Sequence, residues 1–239
     1  MDTQEQLKKD SYFELRNAVE TQASTAHTLP PYILSSLPKE KAGARVLDIG
    51  CGYGGLLKSI EVLGYYTKGI DINTEAISYC KKEGLQADLI ENITDYTVLP
   101  EEKFDLAIMT HVIEHLKKAD VINILRHIQE KLLKPGGSIY IATPNAQART
   151  GAYWMYEDFT HETIFTSGSM YYVLKAAGFN TVEFLDKDGV ENSRIKFFKL
   201  AFVKAYRFFD WFVNKFTGGA YHPPSPIIYT WELKVRGTK

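Results

Sequence analysis

The run Val46-Leu47-Asp48-Ile49-Gly50-Cys51-Gly52-Tyr53-Gly54-Gly55 constrains this chain more than any other segment, because an apolar strand feeds directly into a glycine-rich turn. Glycine lets the backbone adopt positive φ and lets a ligand lie against main-chain N–H groups that a Cβ would hold away. Leu56, Leu57, Ile60 and Leu63 then recur at helical spacing, so the turn opens a helix whose inner face packs on a sheet. A strand, glycine turn and helix in this order form the corner at which an α/β sheet binds nucleotides.

The rest of the chain extends the pattern. Strands are expected at Arg45–Ile49, Tyr66–Ile72, Leu85–Ile90, Phe104–Thr110, Ser138–Thr143 and Asn180–Leu185, alternating with helices at 55–63, 74–83, 119–133 and 167–177. Such alternation implies a parallel, doubly wound sheet. Val121, Leu125, Ile128 and Leu132 form one apolar helical stripe, and Pro135-Gly136-Gly137 ends that helix before the next strand. Ile227–Val235 reads as a last strand after a proline-rich loop.

At 239 residues the chain suits a single domain. Its expected parts are a polar, partly helical N-terminal cap over 1–42, a ligand-binding core over 43–185, an insertion over 190–226 and the last strand over 227–235. A composition of 45% hydrophobic and 24% charged residues belongs to a soluble globular protein, and a net charge of −1 gives no general attraction for nucleic acid. Two cysteines, Cys51 and Cys80, are too few for a disulfide framework; with no apolar leader at the N-terminus, a reduced, cytoplasmic setting is expected. No run of 18 uncharged apolar residues is present, so no membrane span is expected.

Two ligand classes fit the glycine turn. Gly50, Gly52 and Gly55 match the dinucleotide spacing, with Asp71 following 21 residues after Gly50, which would make the chain an NAD-dependent oxidoreductase. Asp48 opposes that assignment, since a carboxylate at the strand end repels a pyrophosphate but holds the ammonium of an amino-acid moiety. In its pattern of Asp48 before Gly50, Gly52 and Gly54, the chain resembles motif I of the class I S-adenosylmethionine (SAM)-dependent methyltransferases. The resemblance implies a Rossmann-like α/β fold: a doubly wound, seven-stranded, mainly parallel sheet with an antiparallel last strand, here with a helical insertion between strands 6 and 7. It implies that Asp48, Gly50, Cys51, Gly52 and Gly54 hold the methionine end of SAM, and that Asp71, with Ile72 beside it, accepts the ribose hydroxyls. It places Asp88 against the adenine amino group, the Leu89 N–H on the ring, and Thr110 and His111 toward the transferring methyl. From the residues alone Asp71 is also a helix-capping carboxylate, and Asp95 competes with Asp88.

The exit of the fourth strand, Thr110-His111-Val112-Ile113-Glu114-His115, gathers three titratable groups where open α/β sheets bind ligands. Imidazole titrates near neutrality, so His115 is the candidate general base for a hydroxyl nucleophile, and His161 in Asp158-Phe159-Thr160-His161-Glu162 is a second. The H-x-x-E-H spacing also matches a zinc pattern, but that chemistry needs a long helix rather than a strand exit. The segment is similar to the E-x-x-E-H metal site of the quinone-biosynthesis O-methyltransferases, with His111 in the first position. That departure leaves the use of a magnesium ion open, and no residue is assigned as a metal ligand.

Leu133-Lys134-Pro135-Gly136-Gly137 through Ile141-Ala142-Thr143-Pro144-Asn145 looks like motif III of the same family, so the resemblance is close over 44–145 and looser through Leu174-Lys175-Ala176-Ala177-Gly178-Phe179. The later segments are similar to the branch acting on small molecules, sugars and lipid-linked precursors. The implied function is methyl transfer to a hydroxyl of a small molecule or glycan precursor. Tyr153, Trp154 and Tyr156, just before His161, suit the lining of an acceptor pocket or, equally, the core. A SAM-binding module without catalysis is the alternative, against which the Glu114-His115 pair speaks.

Ile195–Phe216 stands apart. Phe197, Phe198, Phe202, Phe208, Phe209, Phe212 and Phe216 fall on one helical face, while Lys196, Lys199, Lys204, Arg207, Asp210 and Asn214 fall mainly opposite. Such a helix suits a membrane surface, a homodimer interface or a lid whose phenylalanines pack over the acceptor pocket, and the lid or dimer is the favoured expectation.

Overall fold

The computed structural model describes residues 29–185, 195–218 and 226–239. Among these residues seven strands form one sheet: β1 Arg45–Ile49, β2 Tyr66–Asp71, β3 Ala87–Leu89, β4 Phe104–Thr110, β5 Leu133–Pro144, β6 Thr181–Leu185 and β7 Glu232–Thr238. Their order is β3-β2-β1-β4-β5-β7-β6, parallel except for β7, which runs antiparallel between β5 and β6. The order reverses between β1 and β4, and the carboxyl ends of these two strands flank the crevice in which such sheets take ligands.

Period-two alternation divides the strands between two cores. Leu47, Ala107, Met109, Ile139, Ile141, Leu233 and Val235 point to one face. There they meet α4 (Val121–His127, continued by a π-helical turn Ile128–Leu132) through Val121 and Leu125, and α6 (Ser167–Ala176) through Met170 and Leu174. Val46, Leu106, Ile108, Tyr140 and Ala142 point to the other, under Ile60 of α2 (Gly55–Glu61). Leu29, Leu37 and Ile33, the last from the short α1 (Pro31–Leu34), complete this second core, and Tyr32 stacks on Tyr140 at 6.0 Å. Residues 29–42 thus cover one face as the expected cap would, while its first 28 residues lie outside those described. α3 (Thr74–Lys82) covers the β2–β3 side, capped by the Asn73 side chain, which accepts from Ala76 N at 2.8 Å.

Three expectations are corrected. The last strand begins at Glu232 rather than Ile227, because Asn145 Nδ2 donates to the carbonyls of Ile228 and Thr230, both at 2.8 Å, and holds 228–230 as a loop against the end of β5. The fifth strand begins at Leu133, which pairs with Phe104 ahead of a bulge at 134–137, so Pro135-Gly136-Gly137 interrupts a strand rather than preceding one. A further helix, α5 (Gly151–Glu157), fills a stretch for which no element was expected.

The insertion is helical as expected, with α7 spanning Lys196–Thr217, but its orientation is not that of a lid. Leu200, Val203, Tyr206, Arg207, Asp210 and Asn214 are half-buried, at three- and four-residue spacing, and face the protein. Asp210 accepts from the Tyr229 hydroxyl at 2.9 Å, Tyr206 meets the Tyr229 ring edge-on at 5.0 Å, and the Arg207 guanidinium lies 5.6 Å from that ring. The phenylalanines point outward: Phe198, Phe202 and Phe216 are 73%, 70% and 73% exposed. The inward stripe carries Tyr206, Arg207 and Asp210, for which Tyr229 supplies a ring and a hydroxyl.

Candidate functional site

The site has two halves, one on each side of the switch between β1 and β4. In the first, Asp48 is buried at the end of β1, and Gly50, Cys51, Gly52 and Gly54 follow as a loop. Burial, and after it the charge of Asp71, raises the Asp48 carboxyl to about 7, so a cation placed beside it would draw it back to the ionised form. Gly50 has φ 75°, and a Cβ there would run into the Val112 side chain on the loop leaving β4. Alanine at this position would be strained twice, by backbone and by contact. Cys80 of α3 donates its thiol to the Gly52 carbonyl at 3.3 Å, while Cys51 is held protonated by its hydrogen bond to Cys80 and by burial. Both cysteines are buried and outside any disulfide, packed with Leu57, Ile77 and Leu85.

Asp71 fastens that loop. Its Oδ2 accepts from Gly52 N and its Oδ1 from Asn73 N, both at 2.8 Å. Burial raises its pKa while these N–H groups and that of Ile72 oppose the rise. The helix cap itself is Asn73, so Asp71 acts on the loop rather than as the cap. Ile72 and Leu89 lie at the carboxyl ends of β2 and β3, 45% and 48% exposed, with Leu89 in register with Asp71. Asp88 pairs with Lys68 Nζ at 2.8 Å, while its competitor Asp95 accepts from Asn92 Nδ2 at 3.1 Å.

The second half is assembled from distant segments. His111 follows Thr110, the last residue of β4, and has φ 54°, the one positive φ among described non-glycine residues. Its Nδ1 lies 3.2 Å from Glu114 Oε1 and its Nε2 2.9 Å from Glu232 Oε1, and the ring stacks on Trp231 at 5.9 Å. Burial lowers its pKa, but hydrogen bonds to the two carboxylates and their charges outweigh that and push it up to about 9. His111 is therefore a cation at neutral pH and no proton acceptor. Glu114 is fully buried, and its Oε2 accepts from Thr143 Oγ1 at 2.9 Å. Glu232 is continued by Lys234 at 3.5 Å.

His115 differs from His111 in every respect that matters to a base. Burial, the largest influence, and the neighbouring His161 lower its pKa against the pull of Glu114 and Asp158, leaving a neutral ring at pH 7. Thr160 Oγ1 lies 2.7 Å from Asp158 Oδ1 and 2.9 Å from His115 Nδ1. An ionised carboxylate only accepts, so the threonine hydroxyl donates to Asp158 and accepts from His115 Nδ1–H, which makes Nε2 the basic nitrogen. Asp158 stays ionised: burial raises its pKa, but the Thr160 hydroxyl and N–H, with the two histidines, bring it below the usual carboxylate range. His161 donates Nδ1–H to the Trp154 carbonyl at 2.7 Å, and its ring lies 4.8 Å from that of His115. Trp154 in turn packs on Trp231 at 4.9 Å.

Ligand atoms of Glu114, His115 and His161 lie within 4.8 Å of one another. Magnesium prefers oxygen donors, whereas this set offers two imidazole nitrogens and one carboxylate whose oxygens already serve His111 and Thr143. The cluster does not suit a magnesium ion. Glu232, Trp231 and the Asp158–Thr160 link carried no assigned role in the sequence: the first two follow the long insertion, and Thr160 gains significance only once it touches His115. The D-x-T-H pattern was the one available signal.

A family model described as a methyltransferase domain matches residues 22–184. Among curated relatives, a ubiquinone biosynthesis O-methyltransferase of Xanthomonas oryzae pv. oryzae is 32% identical over 126 residues, 50% of this chain and 52% of the relative. One from Xylella fastidiosa is 32% identical over 127 residues, 50% of each. The chain thus spans about half the length of the curated relatives it matches. Of solved structures, a SAM-dependent methyltransferase from Archaeoglobus fulgidus aligns with a TM-score of 0.62 at 21% identity, over 87% of this chain and 90% of that one. The phosphoethanolamine N-methyltransferase 2 of Haemonchus contortus, in complex with SAM, aligns at 0.63 and 16% identity, over 100% and 60%. At these identities the structures establish the fold alone. The family match removes the dinucleotide alternative for the glycine turn.

Proposed function

The chain belongs to the class I SAM-dependent methyltransferases, and from that premise we propose that it transfers a methyl group to a hydroxyl of a small molecule or glycan precursor, with His115 taking the hydroxyl proton. The observation that carries this is the Asp158–Thr160–His115 chain, which fixes the tautomer of a neutral imidazole at the exit of β4. A hydroxyl is a weak nucleophile until its proton leaves, so such a base is what oxygen acceptors need. The names of the ubiquinone biosynthesis O-methyltransferase relatives support the same acceptor atom.

On the donor side the buried Asp48, once ionised, suits the ammonium of SAM, the Asp71-braced loop suits its ribose, and the exposed side chains of Ile72 and Leu89 at the ends of β2 and β3 suit its adenine. Bound SAM would supply an activated methyl on a sulfonium, so the chain's own work is orientation, exclusion of water and proton removal. As the new C–O bond forms, the acceptor proton passes to His115 Nε2. The imidazolium so created is stabilised by the charges of Glu114 and of Asp158, the latter through Thr160. His111, already cationic, holds Glu114 and Glu232 in place and shapes the floor between the two halves. Tyr153, Tyr156 and Phe159, 58%, 70% and 92% exposed around Trp154, support an acceptor with an apolar or ring-bearing body. Incubation with methyl-labelled SAM and a panel of phenols and sugar derivatives tests the proposal. Label recovered on oxygen is the expected result; label recovered only on nitrogen or carbon, or at the same rate in His115→Ala, would refute the role of His115 as base for a hydroxyl.

A further inference from the structure

We propose that α7 docks the protein on an anionic lipid surface, lying flat in the interface with its aromatic face among the acyl chains. This goes beyond methyl transfer and does not depend on it. The helix turns Arg207, Asp210 and Asn214 toward the protein and Phe198, Phe202, Phe208, Phe209, Phe212 and Phe216 away from it. Exposed aromatic surface on this scale marks an interaction site. The stripe runs along all 22 residues, about 33 Å of helix, so it presents a long ridge rather than a groove.

Charge selects the occupant. Lys199, Lys204 and Lys215 are exposed and border the aromatic stripe, Lys199 on one side and the other two opposite. The one acid of the helix, Asp210, is half-buried on Tyr229. A second copy of the chain would set lysine borders against lysine borders, with no acid on the exposed face to receive them. Anionic headgroups complement lysines at the rim of an apolar stripe, as in interfacial helices. No helix among the described residues is long and apolar enough to cross a membrane, which agrees with a helix lying on the surface. Tyr229, which holds α7, lies two residues before Trp231 of the site, so the docked surface and the acceptor side share one short segment.

The test is sedimentation of the full chain with vesicles of phosphatidylglycerol and phosphatidylcholine, and with phosphatidylcholine alone, at low and high salt. The expected result is salt-sensitive binding to the anionic vesicles. It should fall about tenfold or more in the combined Phe202→Ser, Phe209→Ser, Phe212→Ser variant, and about a hundredfold when Lys199, Lys204 and Lys215 are changed to Gln. The three lysines are exposed, so their variant remains informative if the serine variant fails to fold, and melting curves of both report the fold. Failure to bind either vesicle, unchanged binding in the lysine variant, or a solution dimer without vesicle binding would overturn the proposal. None of these readouts involves methyl transfer.

Discussion

The two halves of the site are built in opposite ways. The half proposed for the donor is local: Asp48 to Gly54 is one turn of chain, and Asp71 braces it through Gly52 and Asn73, next to the first βαβ unit. The half proposed for the acceptor joins β4, the loop holding Thr160, and the start of β7, so Glu114 and Glu232 meet on His111 across more than a hundred residues. A local site is stable as soon as its strand and helix pack, and it serves one unchanging ligand. A site gathered from several loops can change acceptor by altering one of them.

The largest expected effect breaks the halves apart. His115→Ala should lose turnover by about a hundred- to ten-thousandfold, the usual contribution of a positioned base, while SAM affinity stays within a factor of about two. Single-turnover methyl transfer and titration calorimetry read the two separately. Asp71→Ala should do the reverse. Without its brace on Gly52 N and Asn73 N the glycine loop is released from the end of β2, and SAM affinity should fall by at least about tenfold, the equivalent of about one hydrogen bond to a charged group. A smaller, pH-dependent effect concerns Asp48. Its pKa is raised, so its contribution to stability is present below the ordinary 3.8 and lost as pH rises through about 7. SAM should therefore bind more tightly, and raise the melting temperature by more, as pH increases across 7, with uptake of SAM releasing a proton.

On the acceptor side the pH signature is different. His115 titrates below its ordinary 6.5, so the acid limb of the kcat profile should lie below that value. Asp158→Asn, which removes a charge that raises it, should move the limb further down and slow the plateau. His111 is raised above 6.5, so its stabilising contribution is complete below 6.5 and lost as pH rises through about 9. In Glu232→Gln its titration, followed by proton NMR, should fall toward 6.5 with turnover changed by less than about tenfold. The smallest effect is that of EDTA, which should leave turnover unaltered, since the Glu114, His115 and His161 set does not suit magnesium.

The same contrast explains what could be foreseen from the residues. β1, β4 and the glycine loop were legible because their signals are contiguous: Arg45–Ile49 and Phe104–Thr110 match residue for residue. The family resemblance added the antiparallel last strand. The start of β7 was misplaced because Ile227, Ile228 and Tyr229 have strand composition, yet the backbone pairing they would need is replaced by Asn145 and by the contact of Tyr229 with α7. Periodicity found the two faces of α7 but could not say which faces water, because that depends on a partner, Tyr229, lying beyond the helix. Glu232 was invisible for the same reason: nothing near it in sequence indicates that it reaches His111.

The central claim, that the chain holds SAM in one half and deprotonates the acceptor in the other, is tested most directly by titrating SAM calorimetrically into the wild type, Asp71→Ala and His115→Ala at pH 8. Equal affinity for the wild type and His115→Ala, with at least about tenfold weaker binding in Asp71→Ala, is the expected result. No SAM binding to the wild type, or equal loss in the two variants, would contradict it.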